Sequence, residues 1–98
     1  MHARVITVQY QSGKMDEAMQ LYRESILPET RQQSGFKGAM ALVDRSTGKG
    51  ISITLWQTEA NAQASGESSA YLQAQLAKIA SLFAAAPSIE MYEVAFQE

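Results

Sequence analysis

Residues 36–58, FKGAMALVDRSTGKGISITLWQT, hold two extended segments around a turn, and this stretch decides the fold. Phe36 to Arg45 and Gly50 to Thr58 are rich in residues that suit a pleated surface, and Asp44 to Gly50 separates them. Asp, Ser, Thr and Gly in that linker offer local side-chain bonds and positive φ. The two strands are therefore predicted to be antiparallel neighbours.

Upstream, Ala3 to Gln11 alternates Arg4, Ile6, Val8 and Tyr10 with Ala3, Val5, Thr7 and Gln9, which predicts a first strand with apolar residues on both faces. Ser12, Gly13 and Lys14 punctuate the chain. Met15, Ala18, Met19, Tyr22 and Ile26 then recur at spacings of three and four, the signature of one buried helical stripe. Asp16 and Glu17 fall in its first turn, where negative charge meets the positive end of the helix dipole. Pro28 cannot donate to the carbonyl of Glu24, so a kink or restart is expected there, with the helical region running to Gln33 or Ser34 before Gly35.

Downstream, Thr58 is placed to cap a short helix from Glu59, Gly66 to end it, and Ser68 or Ser69 to cap the next. That next helix buries Leu72, Leu76, Ile79 and Phe83. Pro87 stops it, and Ile89 to Phe96 alternates as a last strand. The predicted order is β-α-β-β-α-β, an α+β split arrangement with right-handed crossovers and helices on one face of an antiparallel sheet. The other face is then bare and partly apolar. Burial against a second copy is the simplest remedy, so a homodimer is expected.

Composition narrows the function classes. The 98 residues, 46% hydrophobic and 18% charged, fit one ordinary globular domain. Apolar runs are too short to cross a bilayer, and the start MHARVITVQYQ alternates instead of offering an apolar leader, which predicts a cytoplasmic protein with no membrane partner. The chain has no cysteine, so disulfides and thiolate chemistry are excluded. His2 is the only histidine, at a position where chains usually fray, and no metal or cofactor is expected. A net charge of −2 with scattered Lys and Arg leaves no footprint for nucleic acid. Lys49-Gly50 begins like the third-strand motif of RNA-recognition domains, but Ser52 to Leu55 lack its stacking aromatics.

Few residues stand out as chemistry. Trp56, the only tryptophan, ends the third strand on the face of Ser52 and Thr54, either walling a pocket or packing in the core. Tyr22 and Tyr71 sit on the two helical regions, each either aiming a phenol at a pocket or burying its ring. Asn61 is a ligand for a substrate oxygen or a helix-start residue. Arg23 and Arg31 fit an anionic substrate or a solvated face. No paired carboxylates, G-x-S-x-G elbow or phosphate loop is present.

Ile26-Leu27-Pro28-Glu29-Thr30-Arg31, then Ser34-Gly35-Phe36, then Leu55-Trp56-Gln57-Thr58-Glu59-Ala60 resemble the antibiotic biosynthesis monooxygenase domain family, of the dimeric α/β-barrel superfamily. The resemblance covers nearly the whole chain. It implies a ferredoxin-like fold paired through its sheet face, and a cofactor-independent monooxygenase acting on a small aromatic phenol or quinol with molecular oxygen. Trp56 matches the tryptophan that ends the family's third strand. The heme-degrading branch is disfavoured, because no histidine follows His2. The alternative is a non-catalytic small-ligand-binding or stress-related dimer on the same scaffold.

Overall fold

Asp44 closes the central hairpin. In the computed structural model, which describes residues 1–98, its Oδ1 accepts from the Ser46 backbone N–H at 2.9 Å and hydroxyl at 2.7 Å, and Gly48 turns with φ +79°. The hairpin joins β2 (Phe36–Asp44) to β3 (Lys49–Trp56), with a register shift between Phe36 and Gly38. β1 (His2–Gln9) pairs antiparallel with β3 on one side and with β4 (Ser88–Glu93) on the other. The sheet order β2-β3-β1-β4 is that of the ferredoxin-like α+β fold the sequence predicts.

The first helical region is α1 (Met15–Leu21), a π-helical turn (Tyr22–Ile26) and α2 (Leu27–Arg31). Here the expected break at Pro28 takes a specific form. The Leu27 N–H reaches back to the Tyr22 carbonyl, and Pro28, lacking an N–H, sits in the first turn of α2. After β3 come α3 (Glu59–Ala64), capped by the Thr58 hydroxyl accepting from the Asn61 N–H, and α4 (Ala70–Ile79), capped by Ser69. A 3₁₀ turn, Ala80–Leu82, ends the second region.

Several boundaries differ from the sequence reading, each for a local reason. Tyr10 lies past β1 and makes a single bridge to Phe83, which the 3₁₀ turn has carried off the predicted helix. The first helical region stops at Arg31, short of Gln33. β4 stops at Glu93, short of Phe96; Glu93 pairs with His2, the first residue of β1, and the Val94 N–H bonds the Met1 carbonyl. His2 is held in the sheet instead of frayed, and its Nε2 lies 3.2 Å from Glu59.

Cross-strand partners share a face, so the registers Arg4↔Thr54, Ile6↔Ser52 and His2↔Trp56 place these residues together under the helices. There Val8, Tyr10, Met15, Ala18, Ile26, Ile79 and Leu82 form the core. The opposite face carries the row Met40, Ile53, Val5 and Glu90 and the row Leu55, Ala3 and Tyr92, with no element of this chain across it. Met40 is 56% exposed and Tyr92 49%. No helix is long and apolar enough to cross a membrane.

Candidate functional site

A cavity of about 70 Å³ lies between the helices and the covered sheet face. Its walls are mostly aliphatic, and its polar groups are Arg4, Ser52 and Thr54 from the sheet, Tyr10 just past β1, Tyr22 and Thr30 from the first helical region, and Tyr71 and Gln75 from α4. Gathering such groups in a largely apolar chamber is the usual layout of a small-molecule site.

Tyr71 and Thr30 are linked at 2.5 Å. The Thr30 hydroxyl donates to the Ile26 carbonyl at 2.9 Å, so its lone pairs face Tyr71 and the phenol is the donor. The Tyr71 oxygen keeps a free acceptor position. Burial pushes the Tyr71 phenol up from its ordinary value, against the opposing pull of the Thr30 hydrogen bond and of Arg4. The proton therefore stays on Tyr71 at neutral pH. Tyr22 is a different case: its hydroxyl is shielded from solvent and has no hydrogen-bond partner.

Arg4 is the residue that sequence reasoning missed as a site group. It is only 1% exposed, and its Nη1 donates to the Ala62 carbonyl at 3.1 Å and the Ser65 hydroxyl at 3.2 Å. Its Nε is buried without a partner. Burial lowers its pKa from the ordinary arginine value, and Tyr71 opposes that shift. The signal was present in the sequence, since Arg4 shares a strand face with Ile6, Val8 and Tyr10, and a charge on an apolar face asks for a reason.

Of the residues singled out from sequence, Tyr22 and Tyr71 line the cavity and come together with Arg4. Trp56 lies outside the lining, fully buried behind Arg4, its ring centroid 4.9 Å from the guanidinium carbon. Its indole N–H donates to the Thr54 hydroxyl at 2.9 Å, and its ring meets Phe36 edge-on at 5.9 Å. Asn61 also lies outside the lining. Its backbone N–H and side-chain oxygen are both engaged by Thr58 at the start of α3, and its side chain sits over Gly35. Arg23 and Arg31 are exposed on the helical region.

Residues 1–77 match the antibiotic biosynthesis monooxygenase family. The chain belongs to this family. An uncharacterised protein of Mycobacterium tuberculosis is 30% identical over 94 residues, which are 96% of this chain and 41% of that relative, so the chain spans about two-fifths of the curated relatives it matches. Among solved structures, the monooxygenase from the ActVA-Orf6 gene of Streptomyces coelicolor, in complex with nanaomycin D, superposes with TM-score 0.82 at 12% identity, covering 99% of this chain and 89% of that one. The cofactor-independent oxygenase SnoaB of Streptomyces nogalater gives TM-score 0.77 at 11% identity, covering 98% and 94%. At such identities the two structures establish a common fold.

Proposed function

We propose that this member of the family is a cofactor-independent monooxygenase that oxidises a small phenol or quinol with molecular oxygen in the cavity between helices and sheet. The observation that carries the reading is the Tyr22 hydroxyl, buried beside an apolar chamber with no partner of its own. A buried donor left unpaired in the free protein is costly, and a ligand oxygen is one way to satisfy it. Family membership and the shared fold with SnoaB support the oxygenase class.

Tyr71 and Tyr22 suit complementary roles. A substrate hydroxyl donates to the free acceptor position of Tyr71, whose own proton is committed to Thr30. The Tyr22 hydroxyl donates to the same substrate oxygen and stabilises its anion, and because no group of the lining is a base the hydroxyl proton passes to solvent. The substrate anion then supplies the electrons to oxygen. One oxygen atom enters at a ring carbon that bears hydrogen, para to the hydroxyl in a phenol and ortho to one in a quinol, and two hydrogens of the substrate leave with the other atom as water. No external reductant is required by this balance.

We further propose that the working unit is a homodimer closed over the bare sheet face, which would remove Met40 and Tyr92 from water. A second reading, a small-ligand-binding dimer without turnover, is favoured by the size of the chamber: about 70 Å³ is below the roughly 150 Å³ that accommodates benzene in an engineered cavity. Under the oxygenase reading its walls open to admit a ring.

Oxygen uptake by the purified protein with a panel of naphthoquinols and anthrone-type phenols separates the two, run beside Tyr22→Phe and a protein-free blank. Uptake above the blank that falls at least tenfold in the variant is expected. No uptake across the panel, in protein that still binds these compounds, would replace the oxygenase reading with the binding one.

A further inference from the structure

Arg4 is a buried cation without an anion. The ion pairs of the chain join His2 to Glu59, Lys14 to Glu17, Arg45 to Asp16 and Lys78 to Glu29, and none includes Arg4. Two features offset its charge in part. The Ala62 carbonyl belongs to the last turn of α3, the negative end of that helix, and the Trp56 face lies against the guanidinium. Neither is a counterion, and an arginine this deep is normally paired.

The geometry specifies what is lacking. Both hydrogen bonds of the guanidinium leave from Nη1, and Nε, one of the other two nitrogens, is buried and unsatisfied. The edge formed by Nε and Nη2 is thus free of protein partners. Two parallel N–H groups on a planar edge match the two oxygens of a carboxylate, whereas a phenolate offers only one oxygen. The Trp56 ring, its centroid 4.9 Å from the guanidinium carbon, packs against the group that carries that edge. Arg4 is also part of the cavity lining, alongside the aliphatic side chains of Ile6, Val8 and Leu76.

We propose that the cavity is a carboxylate site, in which the Nε–Nη2 edge of Arg4 takes both oxygens of a small organic carboxylate whose apolar body rests against Ile6, Val8 and Leu76. The inference rests on the proposed oxygenation for the place of the site and not for its reaction. Where both hold, the substrate is a hydroxyaryl carboxylate, its carboxylate on Arg4 and its hydroxyl toward Tyr22 and Tyr71.

Trp56 is the only tryptophan and touches the binding group, so its fluorescence reports the site directly. The test compares benzoate with benzamide, and butyrate with butyramide so that ring size does not decide the answer, following Trp56 emission and the thermal midpoint. The expected result is at least tenfold tighter binding of a carboxylate than of its amide, with a midpoint that rises with its concentration. In Arg4→Gln, which keeps a donor for Ala62, the preference disappears. Equal responses to acid and amide, no response to either carboxylate in the wild type, or a preference that survives in Arg4→Gln overturns the proposal. The wild-type comparison stands even if the variant fails to fold. Carboxylates that bind without any oxygen uptake by hydroxyaryl carboxylates would sink the oxygenase reading and leave this one intact.

Discussion

The guanidinium of Arg4 lies against the indole of Trp56, 4.9 Å from carbon to ring centroid, and Arg4 and Trp56 are the largest fully buried side chains of the chain. Trp56 thus contributes to the fold through three separate contacts: the face it shows Arg4, its edge-on meeting with Phe36, and its N–H bond to Thr54. Trp56→Ala removes all three and leaves a cavity, a loss of about 3–5 kcal/mol. Trp56→Phe keeps an aromatic face and loses the hydrogen bond and part of the ring, so a loss of about 1–2 kcal/mol is expected. Urea unfolding of both variants checks the ranking; equal losses would mean that the aromatic face over Arg4 contributes nothing.

Gly35 and Gly13 form a matched pair for separating backbone strain from collision. Both have positive φ, +81° and +76°, but a Cβ on Gly35 would stand 2.3 Å from Cγ of Asn61, while one on Gly13 would meet nothing within 4 Å. Gly13→Ala therefore costs only the left-handed backbone penalty, about 1–2 kcal/mol. Gly35→Ala must in addition displace Asn61 from Thr58 and disturb the cap of α3. Its denaturation midpoint is expected well below that of Gly13→Ala, and similar midpoints would show that Asn61 moves freely.

The fold was legible because its signals are local. Alternation in Ala3 to Gln11, the Asp44 to Gly50 turn and the stripe from Met15 to Ile26 each report on neighbouring residues, and together they leave few topologies open. What escaped depended on distant partners. β4 ends at Glu93 opposite His2, the first residue of β1 and a partner some ninety residues earlier in the chain. Tyr22 and Tyr71 could be singled out because each lies on a helical region, although the hydrogen bond that joins Tyr71 to Thr30 spans 41 positions. Trp56 reads as a large ring on the covered face, but its place behind Arg4 depends on the pairing of β1 with β3. For Asn61 the helix-start alternative describes the contacts that the structure holds.

Glu29 ties α2 to α4 and gives stability a predictable dependence on acid. The Gln75 amide donates to its carboxylate at 2.5 Å and the Lys78 ammonium lies at 3.0 Å, and these partners, Gln75 first, hold its pKa below the usual value of 4.5. Between the folded and unfolded pKa values the unfolded chain binds more protons, so stability rises with pH there. The contribution is present above about pH 4.5 and is lost as pH falls through the lowered folded value. Asp44, held down by Ser46, shifts in the same direction and remains in both proteins. Glu29→Gln should thus melt below wild type at pH 6, with the gap narrowing toward pH 2. A constant gap across that range would show that the Glu29 contacts act through packing and not charge.

The uncovered sheet face makes the prediction that concerns the working unit. Met40, Ile53 and Val5 stand in one cross-strand row, Leu42 and Ile51 pair in the next, and Tyr92 flanks them from β4. Helices cover only the opposite face, so a charge placed at Met40 or Leu42, 56% and 44% exposed, can reach water in a single chain. In a face-to-face pair the same charge would be buried without a partner, an arrangement that costs several kcal/mol for each ion. Wild-type protein is expected to sediment as two chains at micromolar concentration, and Met40→Lys with Leu42→Lys as one chain with unchanged far-ultraviolet circular dichroism. Because the two copies present the same surface to each other, each substitution enters the interface twice, and the double variant should shift the dissociation constant by more than a hundredfold. A wild type that sediments as one chain would remove the dimer, and a double variant that stays paired would place the interface elsewhere.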